Sequence, residues 1–496
     1  MSADGQYPKP IIHLDTLIFR KGAINGCYGY VERLTVADIK AFLSQAHRRA
    51  GWSETTRDSG FGGACSFDIP EYRSSHLPVN RIFHRASMLA RLGSRWKAAG
   101  LLSITDFRYL WISSSIWWQT RWMDELIVGW VLLELTDSAG MVALVSFCRM
   151  APFMLFGPFF STVVRYVSYR WLIVNAQFIN CTVSGLFWAL AFFGDLAFWH
   201  IVVGSILIGM GSAYDWSSRR ALIPDLVGKD RTTDAMVMET VPQNISRLIG
   251  PLMSGILLEF TGTKGGFLAL FLLQIVQIAV IVRLSSNTDR TDRKKSRLAP
   301  WKDLLLAYRY SRRNPRISGV LIITFLMNAF AFSYQVLLPV FVRDVLFLGP
   351  MELGLLGAGT GIGSIVGIVL IDRLGRYYRE GIIFTVSSLL NAVATLIFAL
   401  SMSFSLSLAM LILVGIGQTG FSIMQSSIIL RYSIDAMRAR VMGLLVLAIG
   451  GGPPGRLLVG SLAGVVGAPL ALATCAGVAS LGVVSVLWRL GGMRRN

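Results

Sequence analysis

Charge is scarce in this sequence: only 15% of its 496 residues are Asp, Glu, Lys or Arg, against roughly 25% in soluble domains. With hydrophobic residues at 53%, that shortage excludes a disordered chain and argues against an ordinary soluble enzyme. Cysteine is scarce too. The five, Cys27, Cys65, Cys148, Cys181 and Cys475, form no CxxC pair and three lie inside apolar runs, so neither a disulfide framework nor a metal site is expected. Histidine is equally sparse, and His200 stands alone at an expected helix start. No G-x-x-x-x-G-K-[ST] phosphate loop occurs, which removes the usual signature of ATP as energy source. The expectation is a protein that is not an enzyme and carries no cofactor.

Long apolar runs are what the chain has in abundance. A membrane helix needs about 20 mostly apolar residues, because lipid offers no partner to an exposed peptide group. Such runs follow one another over Tyr109 to Leu135, Ala139 to Val164, Trp171 to Phe193, Ala197 to Tyr214, Ala235 to Phe260 and Gly266 to Leu284. After a polar stretch come Ile317 to Val345, Leu353 to Ile371, Ile382 to Ser401, Ser405 to Leu430, Val441 to Val466 and Leu470 to Leu490. The fold class expected is an all-α, multi-pass membrane protein of twelve helices.

Formal net charge is +19, and its placement decides its meaning. Basic residues gather in alternate connections: Arg165 and Arg170; Arg219, Arg220, Lys229 and Arg231; the Arg283 to Arg316 stretch; Arg373, Arg376 and Arg379; Arg431, Arg438 and Arg440. Short cytoplasmic loops hold an excess of Lys and Arg, so both termini are expected in the cytoplasm and nucleic acid is not an expected partner. Residues 1–102 form a polar extension with no secretory signal. Within it, Ile82, Phe83, Leu89, Leu92 and Trp96 among Arg81, Arg85, Arg91, Arg95 and Lys97 fit an interfacial helix on an anionic leaflet, or a basic lead-in of little order.

An internal repeat sets Leu207-Ile208-Gly209-Met210-Gly211 against Leu413-Val414-Gly415-Ile416-Gly417, and Gly250-Pro251 near the counterpart of Gly452-Pro453-Pro454-Gly455. Two parallel six-helix halves follow from it, residues 103–285 and 316–496, joined by a basic linker over 286–315, with the substrate path at their interface. From Asp106 to Leu490 the sequence resembles the major facilitator superfamily, and within it the drug:proton antiporters that include macrolide efflux pumps and the enterobactin exporter. The resemblance is strongest at Arg220-Ala221-Leu222-Ile223-Pro224-Asp225, Asn244-Ile245-Ser246-Arg247-Leu248-Ile249-Gly250-Pro251, Leu338-Pro339-Val340-Phe341 and Arg438-Ala439-Arg440-Val441-Met442-Gly443.

That resemblance implies two motifs. A cytoplasmic gating loop is matched in the second half by Gly367 with Asp372-Arg373-Leu374-Gly375-Arg376. In the first half it is degenerate: Gly157-Pro158 is followed by Arg165 and Arg170, with Arg165 where an aspartate is expected. The antiporter-like glycine-proline pattern of the fifth helix is matched by Gly250, Pro251 and Gly255. Glycine permits close helix approach and proline bends a helix, which suits a rocking bundle.

Ionisable residues inside a bilayer cost from about 2.5 to more than 10 kcal/mol, so those that persist line a cavity or pair. Asp124, Glu125, Arg149, Arg247 and Arg456 are these residues. At 1.5 Å per residue Asp124, Arg149 and Arg247 all lie roughly 14 to 21 Å from the outer ends of their helices, so they can meet at mid-membrane. A carboxylate beside arginine holds a proton weakly and one separated from it holds a proton tightly, as proton coupling requires. Asp124 is therefore read either as the coupling group or as half of a static pair with Arg149 or Arg247, while Arg121 and Glu125 are read as neighbours able to pair. Trp118, Trp122, Asn328, Tyr334, Gln335 and Gln418 are weaker candidates for substrate contact, the alternative being helix-to-helix hydrogen bonds. The function expected is proton-coupled export of an amphipathic small molecule by a monomer in the cell membrane. A lipid or lysophospholipid flippase, and a non-transporting sensor or scaffold, stay open as alternatives.

Overall fold

The computed structural model describes residues 100–163, 168–285 and 300–489. Residues 1–99 of the extension, Arg165 and residues 286–299 of the basic linker lie outside the described residues. Helix α1 runs Thr105–Thr136, α2 Ala139–Val163, α3 Tyr169–Phe193 and α4 Phe198–Val227. Next, α5 covers Thr232–Ile281 and is broken at Gly262 (φ 65°, ψ −168°), a conformation open only to glycine, which divides one 50-residue element into two helical segments. Then come α6 (Pro300–Arg313), α7 (Pro315–Val345), α8 (Pro350–Leu374), α9 (Glu380–Ala399), α10 (Phe404–Tyr432), α11 (Asp435–Ile449), α12 (Gly452–Val466) and α13 (Ala468–Arg489). Among the described residues there is no strand, and eight helices are long and apolar enough to cross a membrane.

Local chemistry fixes the ends. Ser168 Oγ accepts from Trp171 N–H at 3.3 Å and Gly194 closes α3 in the left-handed region. Asn314 Oδ1 accepts from Arg316 N–H with Pro315 at the first helical position, and Glu352 reaches back to Gly349 N–H at 3.1 Å. His200 Nδ1 accepts from Ala197 N–H at 3.0 Å, a capping role that accounts for its place at the start of α4. Large side chains such as Leu186, Val276 and Val386 are exposed, as lipid-facing positions are when lipid is the solvent.

The repeat has a concrete structural meaning. A Cβ on Gly209 of α4 would lie 2.1 Å from the Arg149 carbonyl oxygen of α2, and one on Gly415 of α10 would lie 2.2 Å from the Thr360 carbonyl oxygen of α8. The second glycine of each motif faces the next helix: Gly211 meets Ala176 and Asn180 of α3, and Gly417 meets Ser387 and Asn391 of α9. Both copies therefore use the same pair of glycines to pack a helix backbone into a groove.

Helices α1–α5 pack mainly on one another and α7–α13 on one another, and the two groups join chiefly through α5 with α8 and α2 with α12. Their cores differ along the helix axes. At the end where α1 finishes, one apolar cluster runs through both groups, from Ile127, Leu132 and Phe267 to Leu337, Leu353 and Val459. Toward the opposite end the core divides, with Phe107, Ile173, Leu222 and Ile281 in one group and Ile317, Phe384, Ile428 and Val483 in the other. Polar contacts follow the same division. Arg343 of α7 donates to the Leu133 carbonyl at 2.9 Å and pairs with Asp137, crossing between groups, while Arg431–Glu380 and Arg376–Asp372 stay inside one.

The structure adds detail to three expectations. Within the stretch 286–315, Pro300–Arg313 form α6, which buries Ala307 and Ser311 against α11 and accepts Ile434 N–H on Tyr310 Oη at 3.3 Å. Helix α4 continues past Tyr214 to Val227, so Arg219 and Arg220 are helical and not loop. The apolar run Val441 to Val466 falls within one candidate span, Arg440–Val466, with a local turn at Gly450–Gly451 between α11 and α12.

Glycines also set how closely the groups meet: a Cβ on Gly354 would lie 2.7 Å from the Pro251 carbonyl oxygen and 2.9 Å from Gly255 Cα. Substituting Gly354→Val should therefore force α5 and α8 apart. Maleimide labelling of a cysteine placed at Val342, buried in this arrangement, is expected to rise at least several-fold, and unchanged labelling would show that the contact can yield without separation.

Candidate functional site

Helix α1 sends the adjacent Asp124 and Glu125 in different directions, since successive residues turn by about 100°, while Arg121 stands one turn from Glu125 on the same face. Asp124 turns into its own group and pairs with Arg149 of α2, both side chains nearly buried. The pair is incomplete: Asp124 Oδ1 and Arg149 Nε are buried and make no hydrogen bond. Glu125 instead faces the other group, where Arg456 Nη1 of α12 donates to Glu125 Oε1 at 3.0 Å and to Ser146 Oγ at 2.7 Å. Arg456 Nη2 donates to Gln335 Oε1 of α7 at 3.3 Å. A small cavity between the groups is lined by Glu125, Ser146, Arg149, Gln335 and apolar neighbours.

Arg247 goes elsewhere. Its Nη1 donates to Ser364 Oγ of α8 at 3.1 Å, and its guanidinium lies over the Trp122 ring at 5.1 Å. The expected alternative of an Asp124–Arg247 pair is thus not formed, nor is one between Arg121 and Glu125. Each carboxylate is already held: Asp124 by Arg149, and Glu125 by Arg456 across the seam.

The glycine-proline motif positions this set. A Cβ on Gly250 would lie 2.6 Å from Trp122 Cβ, so glycine lets α1 approach α5, and Ser254 Oγ donates to the Met123 carbonyl at 3.2 Å. Pro251 and Gly255 meet Gly354 and Gly357 of α8. One turn of α5 thus packs on α1 with one face and on the second group with another.

The contacts seen for the gating candidates among the described residues include several within one group. Asp372 accepts from Arg376 Nη2 at 2.8 Å along one helix, both half-exposed, and Arg373 is exposed. Gly367 packs on Thr419 and Ile416 of α10, continuing the Gly359 and Gly363 face as its spacing implies. Arg170 donates to the Val282 carbonyl at 2.7 Å, tying α3 to the end of α5. Of the remaining candidates, Asn328 donates back to the Thr324 carbonyl of its own helix, and Trp118 packs edge-on against Trp117. Tyr334 is buried beside Gln335, and Gln418 keeps a buried Oε1 without a hydrogen bond.

Sequence reasoning missed a second buried cluster, in α4. Arg219 Nε donates to Asp215 at 3.0 Å, while its Nη1 and Nη2 donate to Ser114 and Ser113 of α1 and Gln177 Nε2 donates to Asp215 at 2.9 Å. The signal was present as an Asp and an Arg four residues apart, a helical pair, once α4 is allowed to run on to Val227.

A buried ion pair that joins two helix groups beside a second within one of them, over a core continuous at one end and divided at the other, fits a membrane transporter of the two-group type. A family model described as transmembrane secretion effector matches residues 98–494, and the chain belongs to that family, a branch of the major facilitator superfamily. It is 26% identical to the staphyloferrin A transporter of Staphylococcus aureus (strain NCTC 8325 / PS 47) over 294 residues, 58% of this chain and 72% of that one. It is 19% identical to macrolide efflux protein A of Streptococcus pyogenes over 58% of this chain and 71% of the relative. With the enterobactin exporter EntS of Citrobacter koseri it shares 26% identity over 55% of this chain and 65% of the relative. The fold is that of solved transporters, among them the nucleoside transporter NupG (TM-score 0.61, 14% identity, covering 80% of this chain and 99% of that one). A bacterial homologue of ferroportin in an inward-facing state is similar too (TM-score 0.60, 15% identity, covering 80% of this chain).

Removing one member of a buried pair strands the other charge, at a cost of about 3 kcal/mol or more, whereas replacing both costs much less. Arg456→Met should therefore lower the apparent melting temperature in detergent clearly more than Glu125→Gln combined with Arg456→Met. Equal losses would mean that the cross-group pair holds little.

Proposed function

We propose that this chain is a secondary exporter of an amphipathic small molecule, driven by proton exchange through alternating access. In this reading it has twelve membrane helices in two pseudo-symmetric bundles, residues 103–285 and 316–496. A basic segment over 286–315, including α6, joins them, and residues 1–102 are a cytoplasmic extension. It works as a monomer in the cell membrane with both termini in the cytoplasm. The relatives named for staphyloferrin A, macrolides and enterobactin support export as the activity and a bulky polar-apolar molecule as the cargo. The divided core then faces the cytoplasm, so the arrangement is one ready to load.

The observation that carries the coupling mechanism is the incomplete Asp124–Arg149 pair, buried one residue from the cross-group Glu125–Arg456 pair. A proton on Asp124 would cancel its attraction for Arg149 and free that guanidinium within reach of the seam. Loss of the proton would restore the pair, so charge on α1 and separation of the groups are linked. Asp372, Arg373 and Arg376, with Arg165 and Arg170 at the matching place, would close the cytoplasmic end in the alternate state.

The test is transport in proteoliposomes over macrolides, siderophores and lysolipids, with and without a pH gradient. Asp124→Asn is expected to insert and elute as wild type yet lose gradient-driven export at least tenfold, because the amide cannot cycle a proton. Wild-type rates in that variant would reduce Asp124 to a static partner. Lysolipid movement indifferent to the gradient would favour a flippase.

A further inference from the structure

The arginines at the seam outnumber the carboxylates available to them. Arg149 and Arg456 have Asp124 and Glu125. Arg121 lies close enough to feel both carboxylates but forms no ion pair with either, since each is already held. Arg247 is more isolated still. The ionisable group beside it is the Tyr334 phenol, its hydrogen bond goes to the neutral Ser364, and its buried Nε donates to nothing. On α5 the carboxylates Asp234, Glu239 and Glu259 stand well away along the helix, and on α8 Glu352 and Asp372 sit at opposite ends.

A guanidinium cannot shed its charge, and at membrane depth an uncompensated one is costly. An arginine held only by neutral groups, with a donor left over, is half of a site whose anion has yet to arrive. Its surroundings indicate the shape of what arrives. Trp122 offers a flat face under the guanidinium, and Ser364 on the opposite group, its own hydroxyl donating to the Thr360 carbonyl, holds Nη1 and leaves Nε free of a partner.

We infer that Arg247 and Trp122 form an anion subsite in the transport path, and that the cargo is an amphipathic molecule carrying a carboxylate-type oxyanion on a flat apolar body. This rests on the export reading for its role but not for its chemistry. The guanidinium, backed by the indole face, takes the oxyanion by paired hydrogen bonds, the flat body lies alongside against the indole edge, and Arg121 adds to the local positive potential. Because Ser364 belongs to the second group, the subsite loses a partner when the groups part, which favours release on the far side.

The probes are two dyes of matched body and fixed opposite charge, dansyl-aspartate and dansylcholine. Fluorescence anisotropy with the purified full chain in detergent should show dansyl-aspartate binding at least about tenfold tighter, the size expected for a charge-assisted contact. Arg247→Gln should abolish that preference and Arg247→Lys should keep part of it. Equal binding of the two dyes, binding of neither, or a preference unchanged in Arg247→Gln would overturn the subsite. If Arg247→Gln fails to fold, the wild-type preference and its reduction in Arg247→Lys decide. Dansyl-aspartate bound through Arg247 but not moved by a pH gradient in proteoliposomes would leave the subsite and remove the export reading. Movement of dansylcholine in place of dansyl-aspartate would overturn the anion assignment itself.

Discussion

Everything at the centre of this molecule depends on the cost of holding charge at the depth of a bilayer, and α1 concentrates that cost by carrying Arg121, Asp124 and Glu125 within five residues. Asp124 and Glu125, adjacent in the chain, point about 100° apart, so each finds its own partner. Asp124 is satisfied from within its own group by Arg149, and Glu125 from the opposite group by Arg456. That division makes α1 the element through which one group senses the other. The packing around it serves the same end: Gly209 receives the α2 backbone at Arg149, and Gly250 lets α5 close on Trp122.

The two copies of the repeat share a scaffold but not a filling. Arg219 on α4 reaches Ser113 and Ser114 of α1, and the corresponding Gln425 on α10 reaches Thr324 of α7 at 2.6 Å. The geometry is alike, while the first copy uses an ion pair with Asp215 and the second a neutral amide. Charge is thus concentrated in the first group, and the second contributes Arg456, Gln335 and Ser364 as the groups that answer it. A division of this kind lets one copy carry the titrating chemistry while the other reports on it through contacts that form or break.

Depth was legible in the sequence and direction was not. Apolar run lengths place Asp124, Arg149 and Arg247 at one level, and the repeat places their helices in two sets. Which arginine meets which carboxylate depends on rotation about each helix, and a residue's neighbours in sequence say little about that in a helix apolar on most sides. Hence Asp124–Arg149 was among the expected pairs, Arg456 as partner of Glu125 was not, and Arg247 turned out to serve Ser364 and Trp122. The glycine face Gly359, Gly363 and Gly367 was legible because spacing alone specifies it. The second face, Gly354, Gly357 and Gly361 against α5, has nearly the same spacing but was hidden by the first. Helix α6 was obscured for another reason: its charges read as topology before they read as amphipathicity.

An interface that must open repeatedly cannot rest on deeply interdigitated side chains, since each would surrender its buried area at every cycle. The α5–α8 contact avoids this by bringing backbone to backbone: Gly255 against Gly354, and Gly361 against Leu248. Such contacts gain dispersion and weak Cα–H···O attraction while burying little side-chain surface, so they are close without being costly to part. Directional bonds then do the work of choosing between states. Arg343 with Asp137 and the Leu133 carbonyl fastens the end where α1 finishes, and Glu125 with Arg456 fastens the middle. In the proposed cycle both are contacts between charges, and so both respond to a proton or an anionic cargo in a way that apolar packing cannot. Glycine makes the seam separable, and the arginines make its separation conditional on what is bound.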